Sequence, residues 1–263
     1  MSTIVPEPAP PQVQPEPYYS DDLVTLYLGR CEDVLPTLAP VDHIITDPPY
    51  SQKVHAAVRS SKLKEGHPKE RGNWHRNVDL GFVHLSPDLR ALCGREFARL
   101  AKRWVLVFSD VEGAPGWWAD LTGNGLDYVR TGFWHKPGAT PQFSGDRPAN
   151  AVEAITICHP KGRKRWNGGG NFAFWSVPIV QNRGDVQRVH TTQKPEPLMR
   201  ALVEQFTDEG DLILDAFGGS GTTALAAKYL GRRCILIEED EARAEVAAKR
   251  IASSPDTLFG GVA

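Results

Sequence analysis

Cysteine is scarce and scattered: Cys31, Cys93, Cys158 and Cys234 are the four in 263 residues, with no CxxC pair among them. That pattern supplies neither a zinc spacing nor a secreted disulfide framework, so the thiols are expected to be reduced, in a cytoplasmic protein with no metal site. No run of uncharged apolar residues reaches the roughly eighteen needed to span a bilayer, and the amino terminus lacks a basic stretch followed by an apolar one. Neither membrane insertion nor secretion is expected. Positive charge is lacking overall, since 30 Lys and Arg face 32 Asp and Glu for a formal net charge of −2. A nucleic-acid partner therefore cannot be argued from the whole molecule, only from where the basic residues sit. Internal repeats are absent as well.

What is present falls into one domain of ordinary size, residues 21–263, behind a leader. Residues 1–20 carry Pro6, Pro8, Pro10, Pro11, Pro15 and Pro17 and little to bury, so they are expected to be extended or disordered. Apolar runs Leu23–Leu28 and Val41–Thr46 read as buried parallel strands joined by a helical segment around Glu32–Leu38. From about residue 51 to 80 periodicity stops. Lys53, Arg59, Lys62, Lys64, Lys69, Arg71 and Arg76 there face only Glu65 and Glu70, a basic insertion suited to phosphate contact or to plain solvated surface. Ser86, with Pro87 after it, predicts the cap of an amphipathic helix using Leu89, Leu92, Cys93, Glu96 and Leu100. Strands are expected at Trp104–Phe108, Tyr128–Trp134 and Val152–Cys158. The stretch that follows, about 159–189, is irregular and holds Lys161, Arg163, Lys164 and Arg165, a second candidate for phosphate contact. Its Trp166 and Trp175 suit either stacking on DNA or anchoring a small core.

The last third is more legible. Leu198, Ala201, Leu202 and Phe206 form a helix face, and Leu212–Leu214 form a strand ending at Asp215. Gly218, Gly219 and Gly221 make a turn, Thr223–Leu230 a helix, Cys234–Glu238 a strand, and a helix runs on to about Ile251. Gly219, Gly221 and Ala224 satisfy the GxGxxG/A spacing, and Glu238 ends the next strand, where a carboxylate can accept from ribose hydroxyls. Such a unit fits any adenosine-containing cofactor, or simply a tight turn packing a helix on a sheet. Asp215 just before the turn would repel a pyrophosphate but suits an ammonium, and the turn has no P-loop lysine. Because only one strand follows the glycine turn, the rest of the sheet must come from upstream, which makes the expected order circularly permuted relative to the usual doubly wound sheet.

Upstream, Val41–Thr46 leads directly into Asp47, Pro48, Pro49 and Tyr50. The carboxyl ends of strands line the ligand crevice of an open α/β sheet, so this tetrapeptide should face the same crevice as Gly219. Paired prolines fix the backbone and remove two donors, leaving Asp47 and the Pro48 carbonyl as adjacent acceptors beside the flat face of Tyr50. Two acceptors and a ring are what an aromatic amine requires, although a proline turn after a strand would carry the same residues.

With these motifs together, the sequence resembles the permuted group of DNA amino-methyltransferases, of adenine-N6 or cytosine-N4 type. The resemblance rests on Asp47–Tyr50 (DPPY), His190–Pro195 (HTTQKP), Asp215–Thr223 (DAFGGSGTT) and Ile237–Glu239, and covers roughly residues 22–252. It implies a circularly permuted Rossmann-like α/β fold with a mostly parallel seven-stranded sheet and helices on both faces. It also implies S-adenosylmethionine as donor, DNA as partner, and a target base flipped from the duplex. By the same resemblance Asp47 and Pro48 bind the target amino group next to Pro49, and Tyr50 stacks on the base; Trp134, at the end of its strand, is a separate candidate for a second stacking face. Asp215, Phe217, Gly219, Gly221, Thr222 and Glu238 surround the cofactor, while Thr192 and Lys194 close over its methionine end. Arg30 and Ala216 depart from the family pattern, the first at an expected adenine-ring contact. An aspartate at the first catalytic position is in this family more usual for adenine N6. Recognition is expected to fall to about 159–189, a region small enough for a short target or relaxed specificity. Rival readings are an RNA or protein amine methyltransferase and an NAD-linked oxidoreductase; the oligomeric state, monomer or homodimer, stays open.

Overall fold

The computed structural model describes residues 15–50, 85–139, 141, 145, 148–179 and 193–254. The first fourteen residues, the basic insertion with Lys53 and Arg59, and Thr192 lie outside these described residues.

Among the described residues nine strands join in one sheet: β1 (Tyr19–Ser20), β2 (Val24–Leu28), β3 (His43–Thr46), β4 (Val105–Ser109), β5 (Asp127–His135), β6 (Val152–His159), β7 (Phe174–Ser176), β8 (Leu212–Asp215) and β9 (Arg233–Glu238). Their order is β1-β2-β9-β8-β3-β4-β6-β5-β7. The central seven, β2 to β5 in that order, match the expected sheet, and β1 and β7 are short additions at its two edges. Pairing is parallel from β2 through β9, β8 and β3 to β4, whereas β6 runs antiparallel to both β4 and β5. The Gly-rich unit of β8 and β9 sits mid-sheet although it comes last in the chain, which is the expected permutation. The proline-rich leader ends earlier than anticipated, because Tyr19 and Ser20 already pair with Leu26 and Thr25.

Alternation along the strands sends side chains to two cores. Ile45, Leu106 and Phe108 face one side, where α4 (Glu196–Phe206), α5 (Thr222–Tyr229) and α6 (Glu241–Ala252) pack. Ile44, Val105 and Val107 face the other, covered by α1 (Cys31–Val34), α2 (Pro87–Leu100) and α3 (Ala114–Gly123). Helix α2 starts where the sequence places it: the Ser86 hydroxyl accepts the Leu89 N–H at 3.1 Å, satisfying one of the free donors of the first turn. Helix α3 was not anticipated, because APGWWADLTG is rich in breakers; the burial of Trp117 and Leu121 against the sheet outweighs that propensity. All four cysteines are free and buried. No helix among the described residues is long and apolar enough to cross a membrane.

Candidate active site

Strands β3 and β8 are neighbours, and their carboxyl ends bring the two sequence motifs together. The Thr46 hydroxyl donates to Asp215 Oδ1 at 2.8 Å and accepts the Ala216 N–H at 3.2 Å. Thr223 at the start of α5 donates to Asp215 Oδ2 at 2.6 Å, and the Phe217 N–H reaches Oδ1 at 3.1 Å. Asp215 is therefore a buried latch joining the strand before DPPY to the glycine turn and its helix. Burial pushes its carboxyl above the ordinary range in spite of these donors. Both of its oxygens already accept hydrogen bonds inside the protein, and the residue lines the cavity described below.

The turn itself needs glycine at two places. Gly219 has φ +52° and Gly221, which caps α5, has φ +80°, left-handed values that other residues adopt at a cost. The Gly219 N–H donates to Glu238 Oε2 at 2.7 Å, while Glu238 Oε1 accepts the Asp240 N–H at 3.0 Å and faces Arg243 Nε at 3.1 Å. Burial raises the Glu238 carboxyl, and the two backbone donors and Arg243 only partly offset it. Arg243, on α6, was not singled out from the sequence; a basic residue on an exposed helix gives no local sign that it folds back on a strand end.

One cavity of about 370 Å³ links both ends of this arrangement. Asp47, Pro48, Pro49, Tyr50 and Lys194 line one part, and Asp215, Phe217, Gly219, Thr222 and Glu238 the other. These ten proposed site residues thus share a single space, whereas Gly221 is not part of its lining and packs against Ala247 and Ile251 of α6. Arg30, flagged as a departure from the pattern, also borders the cavity and is paired with Glu32.

At the Asp47 end the structure adds Glu153, which sequence reasoning missed, and draws in Lys136, which could be read equally as surface or site. Lys194 Nζ lies 2.6 Å from Asp47 Oδ2 and 3.1 Å from Glu153 Oε2, and Lys136 Nζ lies 2.6 Å from Glu153 Oε1. The ammonium of Lys194 also sits over the rings of Phe108, Tyr50 and Trp134, at 5.0, 5.6 and 5.7 Å, within the range of cation–π attraction. Desolvation in the cavity raises Asp47 to about 6, against the pull of Lys194 and with the help of Glu153. Burial also acts to raise Glu153, but Lys194 and Lys136 outweigh it and hold that carboxyl low. For Lys194 burial is outweighed by the two carboxylates, and its ammonium is held above the usual range. Tyr50 is pushed well up, first by burial and then by Asp47 and Glu153. Two carboxylate oxygens here are buried without a hydrogen-bond partner among the described residues, Asp47 Oδ1 and Glu153 Oε2; the second has the Lys194 ammonium as an ion-pair neighbour, and the first has none.

Trp134 lines the cavity, but its N–H is spent on the Val177 carbonyl at 2.7 Å and its ring is approached by Lys136 and Lys194. The one signal for Glu153 was an acid among apolar residues in the Val152–Cys158 run, since carboxylates are almost never fully buried unless paired.

The second basic cluster is not brought to this site. Because β6 is reversed, Val105 at the amino end of β4 pairs with Cys158, and Lys161–Arg165 emerge at the edge of the sheet away from Asp47. At about 3.3 Å per residue, strand β4 alone separates the two by roughly 15 Å. Lys164 pairs with Asp127 at 3.0 Å, Arg165 with Asp208 at 3.0 Å, and the Arg165 carbonyl accepts from Trp104 at 2.5 Å. Trp166 and Trp175 are anchors here, packed around Phe206 at ring separations of 4.7 and 6.3 Å. The chain then returns beside β5 as β7, so that Ile179 reaches the cavity. Lys161 and Arg163 are exposed. Replacing both with alanine is expected to leave the slope of log K against log salt for DNA binding unchanged within about 0.5; a side chain that neutralises a phosphate would take about 0.9 of that slope with it when removed. A drop of about 2 in a salt titration would show that this distant edge does touch DNA.

Comparison with known proteins agrees with this geometry. A family model described as DNA methylase, of N6/N4 type, matches residues 107–249, more than half of the chain. The Type II methyltransferase M2.DpnII of Streptococcus pneumoniae is 26% identical over 263 residues, covering 92% of this chain and 94% of that protein. Among solved structures, the M1.HpyAVI–SAM complex superposes with a TM-score of 0.62 at 23% identity, over 87% of this chain and 100% of that one. The cytosine-N4-specific PvuII DNA methyltransferase does so with a TM-score of 0.67 at 15% identity, over 94% and 90%. These two share the fold. With the matched segment running from β4 through the glycine turn to α6, the chain belongs to the N6/N4 DNA methylase family.

Proposed function

We propose that this DNA methylase transfers a methyl group from S-adenosylmethionine to the N6 amino group of adenine, and that the cavity between Asp47 and Glu238 is where it does so. The observation that carries the reading is the buried, unpartnered Asp47 Oδ1 at one end of a cavity whose other end is a glycine turn with a strand-end carboxylate.

The lining suits that donor. Glu32, Asp47, Glu153, Asp215, Glu238 and Glu239 contribute six carboxylates against the four cations Arg30, Lys136, Lys194 and Arg243. An acidic cavity disfavours a pyrophosphate and favours a cationic ligand. Glu238 would hold the ribose hydroxyls, Phe217 and the Gly218–Gly221 turn would border the nucleoside, and the acidic lining would face the ammonium and sulfonium. S-adenosylmethionine supplies an electrophilic methyl group on a sulfonium centre.

The protein's own part is to bind and orient. An exocyclic aromatic amine is a poor nucleophile because its lone pair is delocalised into the ring. Asp47 Oδ1 and the Pro48 carbonyl, accepting its two hydrogens, draw the nitrogen toward tetrahedral geometry and free that pair. Tyr50 supplies a face for the ring. Prolines at 48 and 49 hold the acceptors without reorganisation, the condition under which fixed dipoles lower a barrier most, and placement of the two reactants supplies the rest. The choice of adenine over cytosine follows the resemblance, in which an aspartate at the first catalytic position is more usual for adenine N6. The M1.HpyAVI structure, described as a SAM complex, supports the donor, and the PvuII enzyme, described as cytosine-N4-specific, keeps the other amine as the alternative.

Incubation with unmethylated DNA and S-adenosylmethionine tritiated at the methyl group, followed by digestion to nucleosides, tests the reading. Label in N6-methyldeoxyadenosine is expected. Label in N4-methyldeoxycytidine would replace the target base, and no label in DNA would remove the proposal.

A further inference from the structure

The lysine that the sequence assigns to the cofactor end is bonded to the catalytic aspartate instead. Lys194 stands two residues ahead of α4, whose buried face (Leu198, Met199, Leu202) fixes the entry of the chain into the crevice. Its side chain is 8% exposed, and its ammonium has Asp47 Oδ2 at 2.6 Å, Glu153 Oε2 at 3.1 Å and the Tyr50 hydroxyl at 3.5 Å. The contacts to Asp47 and Tyr50 are hydrogen bonds donated by the ammonium, and that to Glu153 is an ion pair without hydrogen-bond geometry. Phe108, Tyr50 and Trp134 close the remaining directions with ring faces. Glu153 is tied in turn by Lys136, so the lysine is gripped from both sides and is not a loose counter-ion. The result at Asp47 is asymmetric: Oδ2 is occupied, and Oδ1 is buried and open.

We propose that Lys194 is a positioning residue for methyl transfer: by holding Asp47 Oδ2 between itself and the tethered Glu153, it leaves Oδ1 as the single carboxylate oxygen presented to the target amino group. This deepens the proposed function and rests on it. Without the lysine, the carboxylate can rotate, and an isolated charge in this cavity gives way to the protonated form, whose O–H donor opposes an amine donor. Glu153 acts through Lys194, fixing where the ammonium can sit.

The charge pattern makes opposite predictions for the two partners. The groups facing Asp47 are Lys194 ahead of α4, Glu153 from β6, Asp215 from β8 and Tyr50 from its own loop. Lys136 stands behind Glu153, and Asp110 at the end of β4 acts on Tyr50. Desolvation raises Asp47, Lys194 lowers it and Glu153 raises it, for a value of about 6. The acid limb of the pH–rate profile, measured by single-turnover methyl transfer, should therefore fall near pH 6 in the unaltered protein. Lys194→Met removes the lowering influence and should move that limb upward by about one pH unit or more. It should also slow transfer about 100-fold at neutral pH. Glu153→Gln removes the raising influence and should move the limb downward.

Melting temperature and equilibrium binding of a non-reactive S-adenosylmethionine analogue are read alongside, with analogue affinity expected to stay within about threefold of the unaltered protein. A role confined to packing would lower both variants' melting and leave the limb in place, which would overturn the inference. So would a Lys194→Met protein that loses the analogue while its limb is unmoved, returning the lysine to the cofactor. Should Lys194→Met fail to fold, the Glu153→Gln profile decides alone: a downward limb supports the inference and an unmoved one overturns it. If the unaltered protein methylates no DNA, it is the underlying reading of the site that fails.

Discussion

Asp47→Ala lowers methyl transfer to DNA by about 10³-fold, some 4 kcal/mol in the barrier, while the protein still binds S-adenosylmethionine. The two effects separate because Asp47 and the cofactor end of the cavity are held by different bonds. Alanine removes the unpartnered acceptor Oδ1 and leaves Lys194 to Glu153 and the Tyr50 hydroxyl. It leaves untouched the Thr46–Asp215–Thr223 latch and the Gly219–Glu238 hydrogen bond that shape the turn. Tritium transfer at saturating DNA measures the first effect, and calorimetric titration with S-adenosylmethionine the second. Activity within tenfold of the unaltered protein would mean that the target amine finds its acceptor elsewhere. Loss of cofactor binding together with activity would mean that Asp47 shapes the whole cavity and not the amine end of it.

Gly221→Val weakens cofactor binding instead, and does so through the backbone. The residue has φ +80°, and a Cβ there would lie 3.2 Å from the Ala247 Cβ and 3.4 Å from its Cα on α6. A left-handed β-branched residue costs roughly 1–2 kcal/mol, and forcing its side chain into a packed helix interface adds about 1–3 kcal/mol. For a domain of this size each kcal/mol lowers the melting temperature by about 2–4 °C, so a fall of about 5–15 °C is expected. Affinity for S-adenosylmethionine should fall at least about tenfold, because Gly221 caps the helix whose first turn borders the cavity. Gly219→Ala is the control for stability alone, since at φ +52° its Cβ meets nothing nearer than the Phe217 carbonyl at 4.0 Å and only the backbone cost applies to melting; the residue lines the cavity, so its affinity is not part of the control. Differential scanning fluorimetry with and without S-adenosylmethionine measures both. Equal melting of Gly221→Val and the unaltered protein would show that the turn tolerates a side chain where the packing says it cannot.

Much of this site could be read from the chain because its parts are local. A strand that ends in Asp-Pro-Pro-Tyr, and one that ends in Asp before a glycine turn, carry their backbone chemistry in adjacent residues. Buried parallel strands announce themselves as apolar runs, and Ser86 with Pro87 marks a helix start by what those two residues can and cannot donate. Placing the glycine unit last in the chain was enough to predict the permuted order, since the missing strands had nowhere else to come from. The edge pairing of Tyr19 and Ser20 and the helix Ala114–Gly123 were not legible, as both arise where burial against distant residues overrides weak local preference.

What the sequence by itself determined is thus the family, the fold class and the two strand-end motifs that define the ends of the cavity. Only the tertiary structure decided that Lys194 bonds to Asp47, that Glu153 and Lys136 complete its network, and that Lys161–Arg165 stand at the far edge of the sheet. The physical reason is strand polarity. Whether a residue near a strand end faces the crevice or its opposite edge depends on the direction in which that strand pairs, and the reversal of β6 brings Glu153 to the active end and carries the basic cluster away from it.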